Sequence, residues 1–171
     1  MRNILRTTVL ATVLLAAFPT VQAATQSYSF NGTMEFGHHS GQAFSGMFSF
    51  DDAMLTNAGE EYLGVGSLTM NFLGTPWNLT HLEVGAIAEV KFYEGAFAGL
   101  SYSATQGTTG FSAIPGAANT SDAFVAYDTS LGISGTGSIN YAPVPEPESY
   151  AMLLAGLGLM SLAARRRNKL H

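Results

Sequence analysis

Two adjacent pairs of carboxylates, Asp51-Asp52 and Glu60-Glu61, are the residues whose types and spacing most suggest chemistry. The first pair ends an alternating strand pattern and the second closes the glycine-containing loop that follows, so all four can converge on one ion. Calcium takes about six to eight oxygens from such carboxylates and from backbone carbonyls. Against this, adjacent residues of a strand point to opposite faces, and the chain has no Asp-x-Asp-x-Asp-Gly loop. The competing assignment is a solvated acidic loop, and calcium is the one cofactor the residues suggest. His38-His39 lie in a turn bounded by Gly37 and Gly41, with His81 far away in sequence, and no zinc-ligand spacing links them. Trp77 follows Pro76 in an expected turn, where it could offer a sugar ring an aromatic platform; the alternative is a core position.

Catalytic signatures are absent. The sequence contains no Gly-x-Ser-x-Gly elbow, no His-Glu-x-x-His helix and no phosphate-cradling glycine loop. A glycosidase needs two carboxylates across a cleft, and scattered acids alone do not define one. The expectation is therefore a protein that is not an enzyme.

Charge is distributed unevenly. Of the seven Lys and Arg residues only Lys91 lies between residues 24 and 143, whereas ten of the twelve acids do, so this body is about nine units negative. Nucleic acid is disfavoured as a partner by that sign. Divalent cations and neutral glycans are not. The chain has no cysteine, so disulfides contribute nothing and the core must hold the fold.

The elements that would position these groups read as strands. Phe30 and Met34 alternate with Asn31 and Thr33; Phe44, Phe48 and Phe50 alternate with Ser45 and Ser49; Leu68, Met70 and Phe72 alternate with Thr69 and Asn71. Phe36 and Leu131 fall on the apolar faces of their runs and are expected inside, with Ile133, Ile139 and Tyr141. Further strands are expected over residues 87–93 and 123–129, and the one short helical turn over residues 53–61. About seven to nine short strands with half-polar faces predict an all-β domain over residues 24–143, an antiparallel β-sandwich of jelly-roll type or a related barrel.

The termini follow a different logic. Arg2 and Arg6 precede an apolar run from Val9 to Phe18, and Val21-Gln22-Ala23 places small residues where a signal peptidase reads them. Residues 1–23 are thus expected to form a secretory signal helix, cut between Ala23 and Ala24 after delivery through the Sec translocase. At the other end, Pro145 and Pro147 fix extended geometry. An uncharged run through Ala164 follows, and Arg165, Arg166 and Arg167 then act as a cationic stop. Residues 150–164 are expected to form a transmembrane helix held transiently in the inner membrane, with the C-terminus cytoplasmic. The uncharged run from Ser149 to Ala164 is short for this, roughly 24 Å of helix.

Pro145-Glu146-Pro147, the apolar helix containing Gly156 and Gly158, and Arg165-Arg166-Arg167 together resemble the PEP-CTERM sorting signal of Gram-negative bacteria that make exopolysaccharide. The resemblance covers residues 144–171. It implies recognition of Pro145, Glu146 and Pro147 by an exosortase, release of the body from its inner-membrane-anchored precursor, and delivery to the cell surface or biofilm matrix. There the implied role is structural or adhesive. The strand Gly46-Met47-Phe48-Ser49-Phe50-Asp51 resembles a Gly-x-Phe-x-Tyr-Asp strand of small domains that precede such tails, with Phe50 in place of the tyrosine. Two other roles remain open, a glycan-binding module, calcium-assisted or not, that contacts extracellular polysaccharide, and a small hydrolase.

Overall fold

The computed structural model describes residues 25–145 and 147–168. Nine strands form a single antiparallel sheet: β1 (Thr25–Met34), β2 (Ala43–Asp51), β3 (Glu60–Phe72), β4 (Thr75–Asn78), β5 (Glu89–Tyr93), β6 (Ala96–Gln106), β7 (Thr109–Ile114), β8 (Phe124–Thr129) and β9 (Ser134–Pro143). The order β2-β1-β9-β8-β7-β6-β5-β3 closes on itself because β2 also pairs with β3, giving an eight-stranded barrel with β4 added to β3. The sandwich expectation is thereby corrected to the related barrel. Among the described residues no second sheet forms, because every barrel strand finds a neighbour on both sides and closure removes the free edges.

Strand β3 makes closure possible. Its first half, Glu60 to Gly64, pairs with β5, and its second half, Thr69 to Phe72, pairs with β4. Its pairing with β2 shifts register opposite Ser49 and Phe50, beside Gly64 and Gly66. A bulge of this kind bends and twists the strand. Two-residue turns at Leu73-Gly74 and Glu94-Gly95 have positive φ at both positions, the hairpin geometry that matches strand twist and favours glycine. The expected helical turn over 53–61 does not form; residues 52–59 connect β2 to β3 and Glu60-Glu61 already belong to the strand.

The alternation predicted for β1, β2 and β3 is realised: Phe30, Met34, Phe44, Phe48, Phe50, Leu68, Met70 and Phe72 are buried in the barrel. Two cross-strand pairs set phenylalanine opposite glycine, Gly32 with Phe44 and Phe30 with Gly46. A Cβ on Gly32 would strike the Phe44 ring, and one on Gly46 the Phe30 ring. Each ring lies over its partner's backbone, so aromatic volume fills a barrel whose interior is only about a side chain wide. Phe36 is 67% exposed and Leu131 is 81% exposed, so both depart from the expectation that they face in. The strands end at Met34 and begin at Ser134, leaving these two residues in the connecting loops.

Two buried hydroxyls give the barrel a pH limit. The Tyr102 hydroxyl donates to the Asn78 carbonyl at 3.0 Å, and burial pushes its pKa up to about 12. Burial likewise pushes Tyr141 to about 12, opposed by the Leu100 N–H that its oxygen accepts at 3.0 Å. The folded state therefore keeps these protons where the unfolded chain, titrating near 10.0, loses them. Their contribution is intact below about pH 10 and is lost as pH rises toward about 12. Urea midpoints measured from about pH 9 to about pH 12 are expected to fall through that window, less steeply in Tyr141→Phe.

Helix α1 (Pro147–Asn168) follows the barrel. The transmembrane expectation for residues 150–164 is corrected: among the described residues no helix is long and apolar enough to cross a membrane. Glu148 in its first turn and Arg165, Arg166 and Arg167 in its last part leave 16 uncharged residues between them. That length falls short of the about 20 residues that a bilayer core requires. The expected signal segment, with Ala23 and Ala24, lies outside the described residues, as does Glu146.

Candidate functional site

The sorting segment is joined to the barrel without a linker. Strand β9 pairs with β1 as far as Tyr28 opposite Pro143, and the Val144 N–H then donates to the Ser27 carbonyl at 2.8 Å. Pro145 follows at once, and helix α1 begins at Pro147. Only residues 145 and 146 separate the last backbone bond of the sheet from the first residue of the helix. Because β1 starts at Thr25 and runs antiparallel to β9, the start of β1 and the end of β9 lie at the same pole of the barrel.

The two acidic pairs do not assemble a metal centre. Asp51 Oδ1 accepts from the Ala53 N–H at 2.8 Å, and Asp52 Oδ2 accepts from Gln26 Nε2 at 3.0 Å. Glu61 closes its own loop, with Oε1 accepting from the Thr56 N–H at 2.7 Å and the Thr56 hydroxyl at 2.8 Å, and Oε2 from the Ala58 N–H at 3.2 Å. These donors, the Thr56 N–H foremost, hold its pKa below the ordinary glutamate value. Glu60 accepts from the Tyr62 hydroxyl at 2.7 Å and lies 3.6 Å from Lys91 Nζ. The Tyr62 bond first, and Lys91 second, lower its pKa. Each carboxylate thus serves a different local bond, and among the described residues no group of three or more His, Asp or Glu side chains is placed to hold a metal.

Trp77 is not a platform. Its relative exposure is 3%, with its ring centroid 6.3 Å from Phe111 and 6.0 Å from His81. The expected turn is instead strand β4, in which Pro76 and Asn78 face out and the residue between them must face in. His81 caps the next turn, its Nδ1 accepting from the Asn78 N–H at 3.2 Å. The His39 N–H donates to the Tyr127 hydroxyl at 2.9 Å. That bond comes from the His39 backbone, its ring lying 5.3 Å from that of His38, and among the described residues no metal-binding group of three includes these histidines.

The barrel wall also carries a surface that no contiguous motif marks. Two adjoining depressions of about 500 and 480 Å³ share Asn31, Ser45 and Asn71 on the outer face of β9, β1, β2 and β3. Strand alternation marks these residues only as outward-facing; cross-strand register, which a single sequence does not show, brings them into one row. A separate depression of about 550 Å³ over β7, β8 and β9 contains Glu83 and Asp128.

These features define a small closed β-barrel bearing a C-terminal helical tail with a proline-flanked, basic-ended sequence. The tail matches the family model of the PEP-CTERM protein-sorting motif over residues 143–167, so the chain carries that sorting motif. No curated protein and no solved structure matches the chain. The match begins at Pro143, which is the last residue of strand β9.

Proposed function

We propose that this chain is the precursor of an exported, exosortase-processed protein whose barrel is delivered to the cell surface or exopolysaccharide matrix, where its role is structural or adhesive rather than catalytic. The observation that carries this reading is the sorting motif over 143–167 placed directly after a closed barrel. A domain whose strands are paired around the full circuit can be released intact by a cut in the segment that follows β9. Exosortase is the processing partner that the motif implies. Its recognition element is Pro145, Glu146 and Pro147, while the Sec translocase and signal peptidase act on residues 1–23.

Intact mass of the protein recovered from cells and medium of an exosortase-bearing host tests the reading. The expected mass corresponds to a chain lacking residues 1–23 and everything beyond the Pro145–Pro147 region. A protein that retains residues through His171 would overturn it.

A further inference from the structure

The barrel wall made of β9, β1, β2 as far as Ser49 and the second half of β3 is free of charge, the exposed Asp51 standing at its edge where β2 ends. Its outward positions from Ser134 to Ala142, Thr25 to Thr33, Ala43 to Ser49 and Ser67 to Asn71 include no ionisable side chain, although the body carries ten carboxylates. The register aligns four of them across the wall: Asn140 opposite Asn31, Asn31 opposite Ser45, and Ser45 opposite Asn71. All four are exposed. With neighbouring strands about 4.8 Å apart, the row is roughly 14 Å long. Asn31, Ser45 and Asn71 are shared by two adjoining depressions, one on the Thr33, Ala43 and Ser138 side of the row and one on its Ser29, Met47 and Thr69 side, which together make a shallow groove with the row at its middle. Among the described residues, no side-chain hydrogen bond occupies the amides of Asn31, Asn71 or Asn140.

We propose that this groove binds a neutral polysaccharide, laid across the strands along the row from Asn140 to Asn71. The proposal rests on the surface role given above and supplies its contact site. Each asparagine amide offers one acceptor and two donor hydrogens, matching sugar hydroxyls that both give and accept. Met47, 48% exposed in the adjacent row opposite Ser29 and Thr69, gives the C–H face of a ring an apolar, polarisable contact. The groove is open along the wall, so it accepts the interior of a chain and does not require a chain end. Uncharged walls suit a neutral polymer, and the surrounding acidic body repels an anionic one. Single contacts of this kind are weak, and repeated sites along a polymer raise the effective affinity.

Affinity electrophoresis of the exported protein through gels containing dextran, galactomannan, β-glucan or, as anionic comparator, alginate tests this. Retardation by at least one neutral polymer is expected, and it should survive about 0.5 M salt because no ion pair is involved. The Asn31→Ala/Asn71→Ala/Asn140→Ala variant should weaken retention about fivefold or more. Three truncations together risk unfolding, so Ser45→Asp, one charge set in the middle of the row, provides a second variant with the same expected loss. Urea midpoints establish that either variant is folded. Retardation by none of the neutral polymers, retardation by alginate alone, or full retention in folded Ser45→Asp would each overturn the proposal. Binding by purified protein does not depend on how the tail was removed, so a failure of the sorting reading shows in the intact mass and a failure here shows in the gel.

Discussion

Tying β9 to β1 with a Ser27→Cys/Val144→Cys pair is expected to slow removal of the tail by about tenfold or more, and reducing the bridge should restore the rate. The Val144 N–H donates to the Ser27 carbonyl at 2.8 Å, and Pro145 comes next. A processing enzyme that grips its substrate in extended form on both sides of the cut must take in residues before Pro145, and these are held in the sheet. Peeling back two or three ladder residues gives up hydrogen bonds worth about 1 kcal/mol each. Ala142 and Pro143 are exposed, so little apolar burial opposes the peeling. Fraying of this size is normal at a strand end, and a covalent bridge abolishes it. The chain has no other cysteine, so the engineered bridge is unambiguous. Inserting Gly-Ser-Gly-Ser between Val144 and Pro145 should have the opposite effect, speeding cleavage up to about tenfold and making the bridged form as fast as the reduced one. Time courses of tail loss, followed by mass in an exosortase-bearing host, measure both. Equal rates for bridged and reduced protein would show that the enzyme needs nothing from the folded side of Pro145.

The strand content of this protein is legible in its sequence because the period-two alternation of phenylalanine with serine, threonine and asparagine is strong in β1, β2 and the second half of β3. Less legible is whatever depends on closure. The first half of β3, Glu60 to Gly66, has alternation interrupted by Gly64 and Gly66, so its pairing with β5 does not show as a pattern. Strand β4 is only four residues long and contains Pro76, which favours a turn assignment by local rules. Its place is decided by Trp77, which must be buried, and by the Leu73-Gly74 turn that folds it back onto β3. The same limit applies to site residues. The motif Pro145-Glu146-Pro147 is contiguous and is readable directly. The row Asn140, Asn31, Ser45 and Asn71 draws on four strands and exists only once the register is fixed. The acidic pairs show the reverse error: they are contiguous in sequence, but the strand and loop geometry gives each carboxylate its own donor.

Trp77→Ala is expected to destabilise the barrel by about 3–5 kcal/mol, the range for deleting a large buried aromatic. Trp77 is buried against Phe111, faces Met70 across the β3–β4 ladder, and sits beside the Tyr102 hydroxyl bond to Asn78. Strand β5 is five residues long and covers β3 only from Glu60 to Gly64. The lower part of that side of the barrel depends on β4 and on the Leu82–Ala104 bridge. Losing the indole therefore opens a cavity at the place where the ladder is least continuous. A domain of this size has a total stability of about 5–15 kcal/mol, so the variant should lose a large part of it. Trp77→Phe should cost less than half as much. Among the described residues the indole Nε1–H is buried with no hydrogen-bond partner, and phenylalanine removes that unsatisfied donor while keeping most of the ring volume. Urea unfolding of the three proteins, followed by circular dichroism, gives the ranking wild type, Trp77→Phe, Trp77→Ala. Trp77→Phe, if folded, should also keep full retention on the neutral polysaccharide gel, because the residue lies inside the barrel and the groove lies on its outer wall. Loss of retention in a folded Trp77→Phe would return the tryptophan to the role of sugar platform that its buried position denies it.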